Sequence, residues 1–178
     1  MNFALKIAHI IDLITEWYSK VIYWLVLVMI AVGVWNVLGR YIGRIIGENL
    51  SSNSLIELQW YLFDLIFFLG AAYTLKKDSH VKVDIFYKNL SSKKKALINI
   101  LGIILFLMPF CGVIIYFSWQ YVVNSWTIME MSPDDGGLPR YPIKTIIIIS
   151  PILLIIQGIS ELIKNLSVFL DIPHRKLT

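Results

Sequence analysis

The chain has 178 residues, of which 57% are hydrophobic and 16% are charged, and its formal net charge is +4. Soluble domains have about 45–50% apolar and about 25% charged residues. Here the apolar excess lies in long continuous runs, which indicates a membrane protein. The basic residues cluster beside those runs, so anionic lipid explains them better than nucleic acid does. A single cysteine, Cys111, excludes an internal disulfide and a cysteine-rich metal site.

Residues 1–20 predict an amphipathic N-terminal helix, because apolar side chains recur there at helical spacing. This helix could lie in the membrane interface, or it could be a cytoplasmic extension of the first span. Asp12 and Glu16 precede the first apolar run, and no small-residue cleavage site follows it. We therefore expect that run to be retained rather than cleaved as a signal peptide. The apolar positions are Ile7, Ile10, Ile11, Ile14 and Tyr18.

Residues 21–169 predict an all-α membrane domain with four transmembrane helices, because about 20 residues at about 1.5 Å each cross the hydrocarbon layer. The third span is longer than a perpendicular crossing needs and should tilt or project, with a kink at Pro109. Residues 170–178 form a polar tail. The predicted spans are residues 21–41, 55–75, 96–123 and 143–166.

Four polar residues fall inside the first two predicted spans. Asn36 and Arg40 are four residues apart, and Glu57 and Asp64 are seven apart, so each pair shares a helix face. In a hairpin of these spans Arg40 comes near Glu57, whereas the other two lie deeper. We expect the four to form the contact between spans one and two or to face a partner subunit, because a membrane carboxylate needs a partner or a cavity. A cation or proton site is the alternative.

The segment between spans two and three is strongly basic. From Lys76 to Lys95 it has seven lysines and two acids, about +5. It should therefore lie in the cytoplasm, together with both termini. Lysines such as Lys82 and Lys88 would meet anionic lipid from a second, short interfacial helix. The residues placed at the lipid interface are Lys76, Lys77, His80, Lys82 and Asp84.

The loop at residues 124–144 differs in character. It carries three acids and two basic residues, about −1, and the positive-inside rule places it outside. The run from Pro133 to Pro139 has strong turn chemistry. Such a loop suits protein contact, although a plain connection between spans is the alternative. Ser54, in the preceding polar loop, is the expected N-cap of span two.

Catalytic and cofactor motifs are lacking. The three histidines, His9, His80 and His174, fall at the membrane edges or outside, and paired histidines on facing helices would be needed for haem. The sequence has no phosphate-binding glycine loop and no recognisable nucleophile–base arrangement. We therefore expect neither an enzyme nor a cofactor. An independent four-span exporter or channel, or a membrane redox subunit, remains the alternative to a transporter scaffold.

Three blocks of this sequence resemble the small membrane subunit of TRAP (tripartite ATP-independent periplasmic) transporters, over about residues 20–165. One departure is Met129, where glycine is expected before the glutamate. The first block is Asn36, Gly39-Arg40-Tyr41 and Glu57. The second is Gly70-Ala-Ala-Tyr, Lys76, Lys77, Asp78, His80, Lys82 and Asp84. The third is Ser125, Glu130, Ser132, Leu138-Pro139, Tyr141-Pro142, Lys144 and Gln157-Gly158.

The resemblance implies a subunit of a sodium-coupled importer in the bacterial inner membrane. In that family a separate large membrane subunit carries the substrate and sodium sites, and a periplasmic binding protein delivers an organic anion. The small subunit resembles a scaffold that also offers part of the docking surface. Sialic-acid members are the most similar. The residues expected to form the docking loop for the binding protein are Glu130, Asp134, Asp135 and Arg140.

Overall fold

The computed structural model describes residues 2–48, 50–79 and 90–171, and this part of the chain is almost entirely helical. Four helical stretches are long and apolar enough to cross a membrane, which confirms the prediction of four spans: Phe3–Ile46, Asn53–Lys76, Ser92–Thr127 and Tyr141–Phe169. The elements are α1 (Asn2–Ile46), α2 (Asn53–Lys76), α3 (Ser92–Gly102), a π-helical segment (Ile103–Leu107), α4 (Met108–Thr127), α5 (Tyr141–Lys144) and α6 (Ile146–Phe169).

Helix α1 is one unbroken helix of 45 residues. At about 1.5 Å per residue it is about 67 Å long, more than twice the hydrocarbon thickness of about 30 Å. The predicted N-terminal helix and the first span are therefore a single element. A helix lying flat in the interface would need a bend before the span, and α1 has no break near residue 20. The continuous helix fits the extension rather than the interfacial placement.

The buried face of α1 consists mainly of small and polar residues. Ala8, Thr15, Ile22, Asn36 and Gly43 are all buried and are separated by seven residues or a multiple of seven. This spacing is that of helices that wrap around one another with a left-handed twist. Three of the five large apolar side chains that suggested an amphipathic helix are exposed instead: Ile7, Ile10 and Ile14. Membrane helices pack through small residues, because lipid solvates the large apolar ones.

The connection from α1 to α2 runs back along the α1 surface. Helix α1 continues to Ile46, five residues beyond the predicted span, and ends where Gly47 adopts a φ of +77°. The Glu48 amide donates to the Gly43 carbonyl (3.0 Å), which closes the helix end. A Cβ on Gly43 would lie 2.2 Å from the Glu48 carbonyl oxygen. Gly43 thus permits close approach inside a helix, although the sequence placed it in a loop.

Helix α2 is capped by Ser52, not by Ser54 as expected. The Ser52 side chain accepts a hydrogen bond from the Leu55 amide (3.4 Å). Ser54 instead donates to the carbonyl of Gly136 in a distant loop. The predicted cap was wrong because Ser54 lies inside the first turn.

The third span contains a π-helical segment just before Pro109, the residue at which a kink was expected. Ile103–Leu107 forms a π-helical segment, in which the Met108 amide donates to the Ile103 carbonyl five residues back. Proline has no amide hydrogen and crowds the turn before it. A π-helical turn is one way to absorb that disruption.

Helix α6 is the centre of the bundle, and it packs against α1, α2, α3 and α4. The third span packs mainly against α6, and α1 packs mainly against α2. The interior that results is small and polar rather than rich in leucine and phenylalanine. The buried residues of α6 are Ile146, Ile148, Ser150, Pro151, Gln157, Gly158, Ser160 and Ser167.

Three predictions fall outside the described residues. They concern the short interfacial helix between spans two and three, the residues His80, Lys82 and Asp84 within it, and the tail beyond residue 171.

Candidate functional site

The most strongly built site lies where the loop at residues 128–140 meets the start of α2. The Glu57 side chain is only 3% exposed there. It accepts hydrogen bonds from the Ser132 hydroxyl and from the Leu138 amide (2.6 Å), and an Arg140 guanidinium nitrogen lies 3.9 Å away. A Cβ on Gly137 would lie 2.9 Å from the Glu57 carboxylate. One buried carboxylate thus fixes the conformation of the whole loop.

A second acid, Glu130, fixes the base of the same loop. Its carboxylate accepts hydrogen bonds from Ser125 (2.7 Å) and from the Lys144 ammonium group. The Lys144 hydrogen bond, followed by that from Ser125, lowers the pKa of Glu130 from its usual value of 4.5. The Lys144 ammonium also lies over the Tyr121 ring, 4.2 Å from its centroid. Glu130 therefore ties the end of α4 to α5.

The tip of the 128–140 loop is attached to α2 and carries two free acids. The Asn53 amide donates to the Asp135 carbonyl (3.1 Å), and the Tyr61 hydroxyl donates to the Pro139 carbonyl (3.2 Å). The side chains of Asp134 and Asp135 are exposed. Within the expected docking set, Glu130 and Arg140 thus point into the loop, whereas Asp134 and Asp135 point out of it.

The expected pairing of Arg40 with Glu57 is not observed, because the ion-pair partner of Glu57 is Arg140. Asn36 is buried and accepts a hydrogen bond from Ser51 (2.6 Å) in the returning connection. Arg40 is exposed, and it forms no ion pair with a described residue. The face of α1 that meets this connection carries Asn36 and Gly39, and Arg40 lies outside it.

Asp64 occupies the middle of α2, eleven residues after Asn53 and twelve before Lys76. It is half-buried, and it makes no hydrogen bond or ion pair within the part of the chain that the structure describes. A carboxylate at such depth costs about 2.5–3.5 kcal/mol on insertion scales. The structure does not bring Asp64 into contact with Asn36, Arg40 or Glu57.

The opposite end of the bundle contains a polar cluster that joins α1 to α6. The Asp12 carboxylate accepts hydrogen bonds from Gln157 (2.9 Å), Ser160 (2.8 Å) and Lys164 (2.9 Å). Gln157 in turn accepts a hydrogen bond from Thr15 (2.7 Å), and its side chain is fully buried. We call Asp12, Thr15, Gln157, Ser160 and Lys164 the basic-end cluster.

Lys76 extends this end of the bundle to α2. Its ammonium donates to the Asp12 carbonyl (2.6 Å) and to Glu16 (3.0 Å), and its side chain is 11% exposed. Lys76 was expected to lie at the lipid interface, but it is turned into the protein, where α1 offers it two acceptors. Lys77 remains 47% exposed.

No three described His, Cys, Asp or Glu side chains converge in a way that could hold a metal ion. No curated protein matches the chain. A family model does match it over residues 29–168, and its description is Tripartite ATP-independent periplasmic transporters, DctQ component. The chain belongs to this family. It is therefore a small membrane component of a TRAP transporter, and the family is one of transporter components rather than of enzymes. Membership implies that it works with a large membrane subunit and a periplasmic binding protein.

Six of the motif residues of this DctQ-family chain hold its own fold together. Glu57, Ser132 and Arg140 meet in one cluster, and Ser125, Glu130 and Lys144 meet in another, although they are spread over three helices and a loop.

The basic-end cluster was not predicted from the sequence. Asp12 and Lys164 are charges near the ends of their helices, where exposed side chains are common, and only Gln157, a polar residue within an apolar run, could have signalled a buried contact.

Proposed function

We propose that this DctQ-family subunit is the non-catalytic scaffold of a sodium-coupled importer of organic anions in the bacterial inner membrane. The observation that carries the proposal is the family match over residues 29–168. The fold supports the scaffold role because most polar groups inside the bundle form hydrogen bonds or ion pairs with one another. Sodium would bind the large subunit, and the resemblance favours a sialic acid as the substrate.

We further propose that the end bearing the basic-end cluster faces the cytoplasm, with both termini on that side. The support is the concentration of lysines there, including Lys93, Lys94 and Lys95 at the start of α3. These lysines would contact anionic lipid headgroups. The 128–140 loop would then face the periplasm, where the binding protein arrives.

The orientation can be tested with thiol labelling, because Cys111 is the single cysteine and it is buried. In a Cys111→Ser background, we expect Asp135→Cys to react with a membrane-impermeant thiol reagent from the periplasmic side. Lys94→Cys should react only after the inner membrane is permeabilised. The reverse pattern would show that the orientation is wrong.

For docking, we propose that Asp134 and Asp135 contact the binding protein. They are exposed and held on a loop that Glu57 and Glu130 fix, so little ordering would be needed on binding. Glu130 and Arg140 would act indirectly, by shaping the loop.

The scaffold role is tested by purifying the tagged chain gently from its own membrane. We expect a much larger multi-spanning protein to accompany it in a near-stoichiometric amount. In proteoliposomes, both membrane subunits with the binding protein and a sodium gradient should import the anion, and this chain alone should not. A chain that purifies alone and moves an ion by itself would instead be an independent exporter or channel.

A further inference from the structure

We propose that one exposed face of α2 binds a transmembrane helix of the large subunit. That helix presents a hydrogen-bond donor or a cation to Asp64. The proposal rests on the proposed function, because it takes the large subunit as the partner. We define the Asp64 face as Trp60, Phe63, Asp64 and Phe67.

The first step is that Asp64 is exceptional in this chain. It is the only Asp, Glu, Lys or Arg in residues 21–39, 58–75, 96–127 and 145–160 taken together. Several other deep polar side chains have partners, as Asn36 has in Ser51 and Ser150 has in the Phe68 carbonyl (2.7 Å). Asp64 has no such partner among the described residues.

The second step is where Asp64 lies on α2. One side of α2 faces α1, as the contact between Tyr23 and Tyr73 shows, and another faces α6, as Ser150 shows. Trp60, Phe63 and Phe67 follow at spacings of three and four residues on the remaining side. They are 58%, 56% and 64% exposed. Asp64 borders this aromatic stripe.

The third step is the chemistry of the occupant. Lipid chains can cover the aromatic side chains, but they cannot satisfy a carboxylate in the middle of the bilayer. The binding protein is periplasmic and cannot reach that depth. A membrane helix with a complementary polar group can cover the aromatic side chains and also bind the carboxylate. In this family the membrane partner of the small subunit is the large subunit.

Photocrosslinking tests the contact directly. A photoreactive phenylalanine derivative would replace Phe63 or Phe67, and in matched controls it would replace Phe106 or Phe117 on the third span, which are 74% and 73% exposed. We expect covalent products with the large subunit from the first pair and not from the second. Products from the third span alone, products with a second copy of this chain, or products with lipid alone would overturn the proposal.

Substitution of Asp64 tests its role separately. We expect Asp64→Leu to lower the amount of large subunit recovered per small subunit by about fivefold or more, with a smaller loss for Asp64→Asn. The melting temperature of the purified small subunit should not fall in Asp64→Leu, because the variant removes an unsatisfied carboxylate. Full recovery of the complex, or recovery with altered ion permeation, would overturn the proposal. Failure of the unaltered chain to recover a large subunit would overturn the proposed function as well.

Discussion

Met129 lies just after α4 and has a φ of 47°, a conformation that L-residues other than asparagine and aspartate rarely adopt. The Glu130 amide donates to the Ser125 carbonyl (3.0 Å) across it, which is the hydrogen bond of a helix end closed by a left-handed residue. Glycine usually occupies this position. This explains why glycine was expected at 129 from the family resemblance.

We predict that Met129→Gly raises the free energy of unfolding by up to about 1 kcal/mol. The relieved left-handed strain of about 1–2 kcal/mol exceeds the entropy that glycine adds to the unfolded chain. Thermal unfolding of the purified subunit would measure the change. Met131→Gly is the matched control, since Met131 is also exposed but has no positive φ. It should not stabilise the protein, and equal stabilisation by both variants would contradict the explanation.

The contacts of Glu57 lead to a double-mutant prediction. Glu57→Gln and Ser132→Ala should each lower the melting temperature, by about 5–10 °C for Glu57, because a buried hydrogen-bonded acid loses its partners. The double mutant should lose clearly less than the sum of the two. Arg40→Ala combined with Glu57→Gln is the control, and its effects should add. If the effects were non-additive for Glu57 with Arg40 but additive for Glu57 with Ser132, the Arg40–Glu57 pair expected from the sequence would be correct and the Glu57–Ser132 contact would be wrong.

The sequence could predict that Glu57 needs a partner, but it could not predict which one. A carboxylate near the start of a membrane helix is conspicuous from composition alone. Its actual partners lie 75 to 83 residues further along the chain, in a loop whose path depends on the turn at Gly136 and Gly137. Arg40 was favoured because a hairpin of neighbouring spans is the simplest contact.

At the scale of helices, Gln157 is one of the polar residues that attach α6 to α1. We predict that Gln157→Leu destabilises the subunit by about 1–3 kcal/mol, since it keeps the volume but removes the acceptor of Thr15 and one of the donors to Asp12. Hydrogen–deuterium exchange should accelerate most in residues 2–20 of α1.

The control for this prediction is Gln120→Leu on the third span. Gln120 is exposed, and its hydrogen bond is to Asn124 on the same helix (2.8 Å). This variant should leave both stability and exchange in α1 nearly unchanged. If Gln157→Leu behaved in the same way, the basic-end cluster would not hold α1 in place.

The helices themselves were largely predictable, because each span is a long apolar run. The residues at which the helices end, and the faces that point into the bundle, were less predictable. Gly43 looked like a loop residue, yet it belongs to α1 and allows the returning chain to approach closely. Likewise Ile10 and Ile14 marked the apolar side of α1 correctly, but that side faces outward. In a membrane protein the large apolar residues do not identify the core.

For the whole molecule, the two ends of the bundle differ in what their polar residues contact. One end uses Asp12, Gln157 and Lys164 to join α1 to α6 through polar contacts. The other holds a loop by two inward acids and leaves two acids at its tip. A rigid acidic tip favours recognition of a basic patch on another protein.

We predict that reversing both tip charges, Asp134→Lys with Asp135→Lys, weakens binding of the periplasmic protein by about tenfold or more at low salt, since like charges then meet across the interface. Assembly with the large subunit should be unaffected, because both side chains point away from the helices. Titration of the purified complex with its binding protein, at low and high salt, measures the effect. Glu48→Lys is the control, as this exposed acid lies at the same end of the bundle but on the α1–α2 connection. An equal loss in Glu48→Lys would mean that overall charge rather than the loop tip governs docking, and an unchanged affinity in the double reversal would exclude the tip altogether.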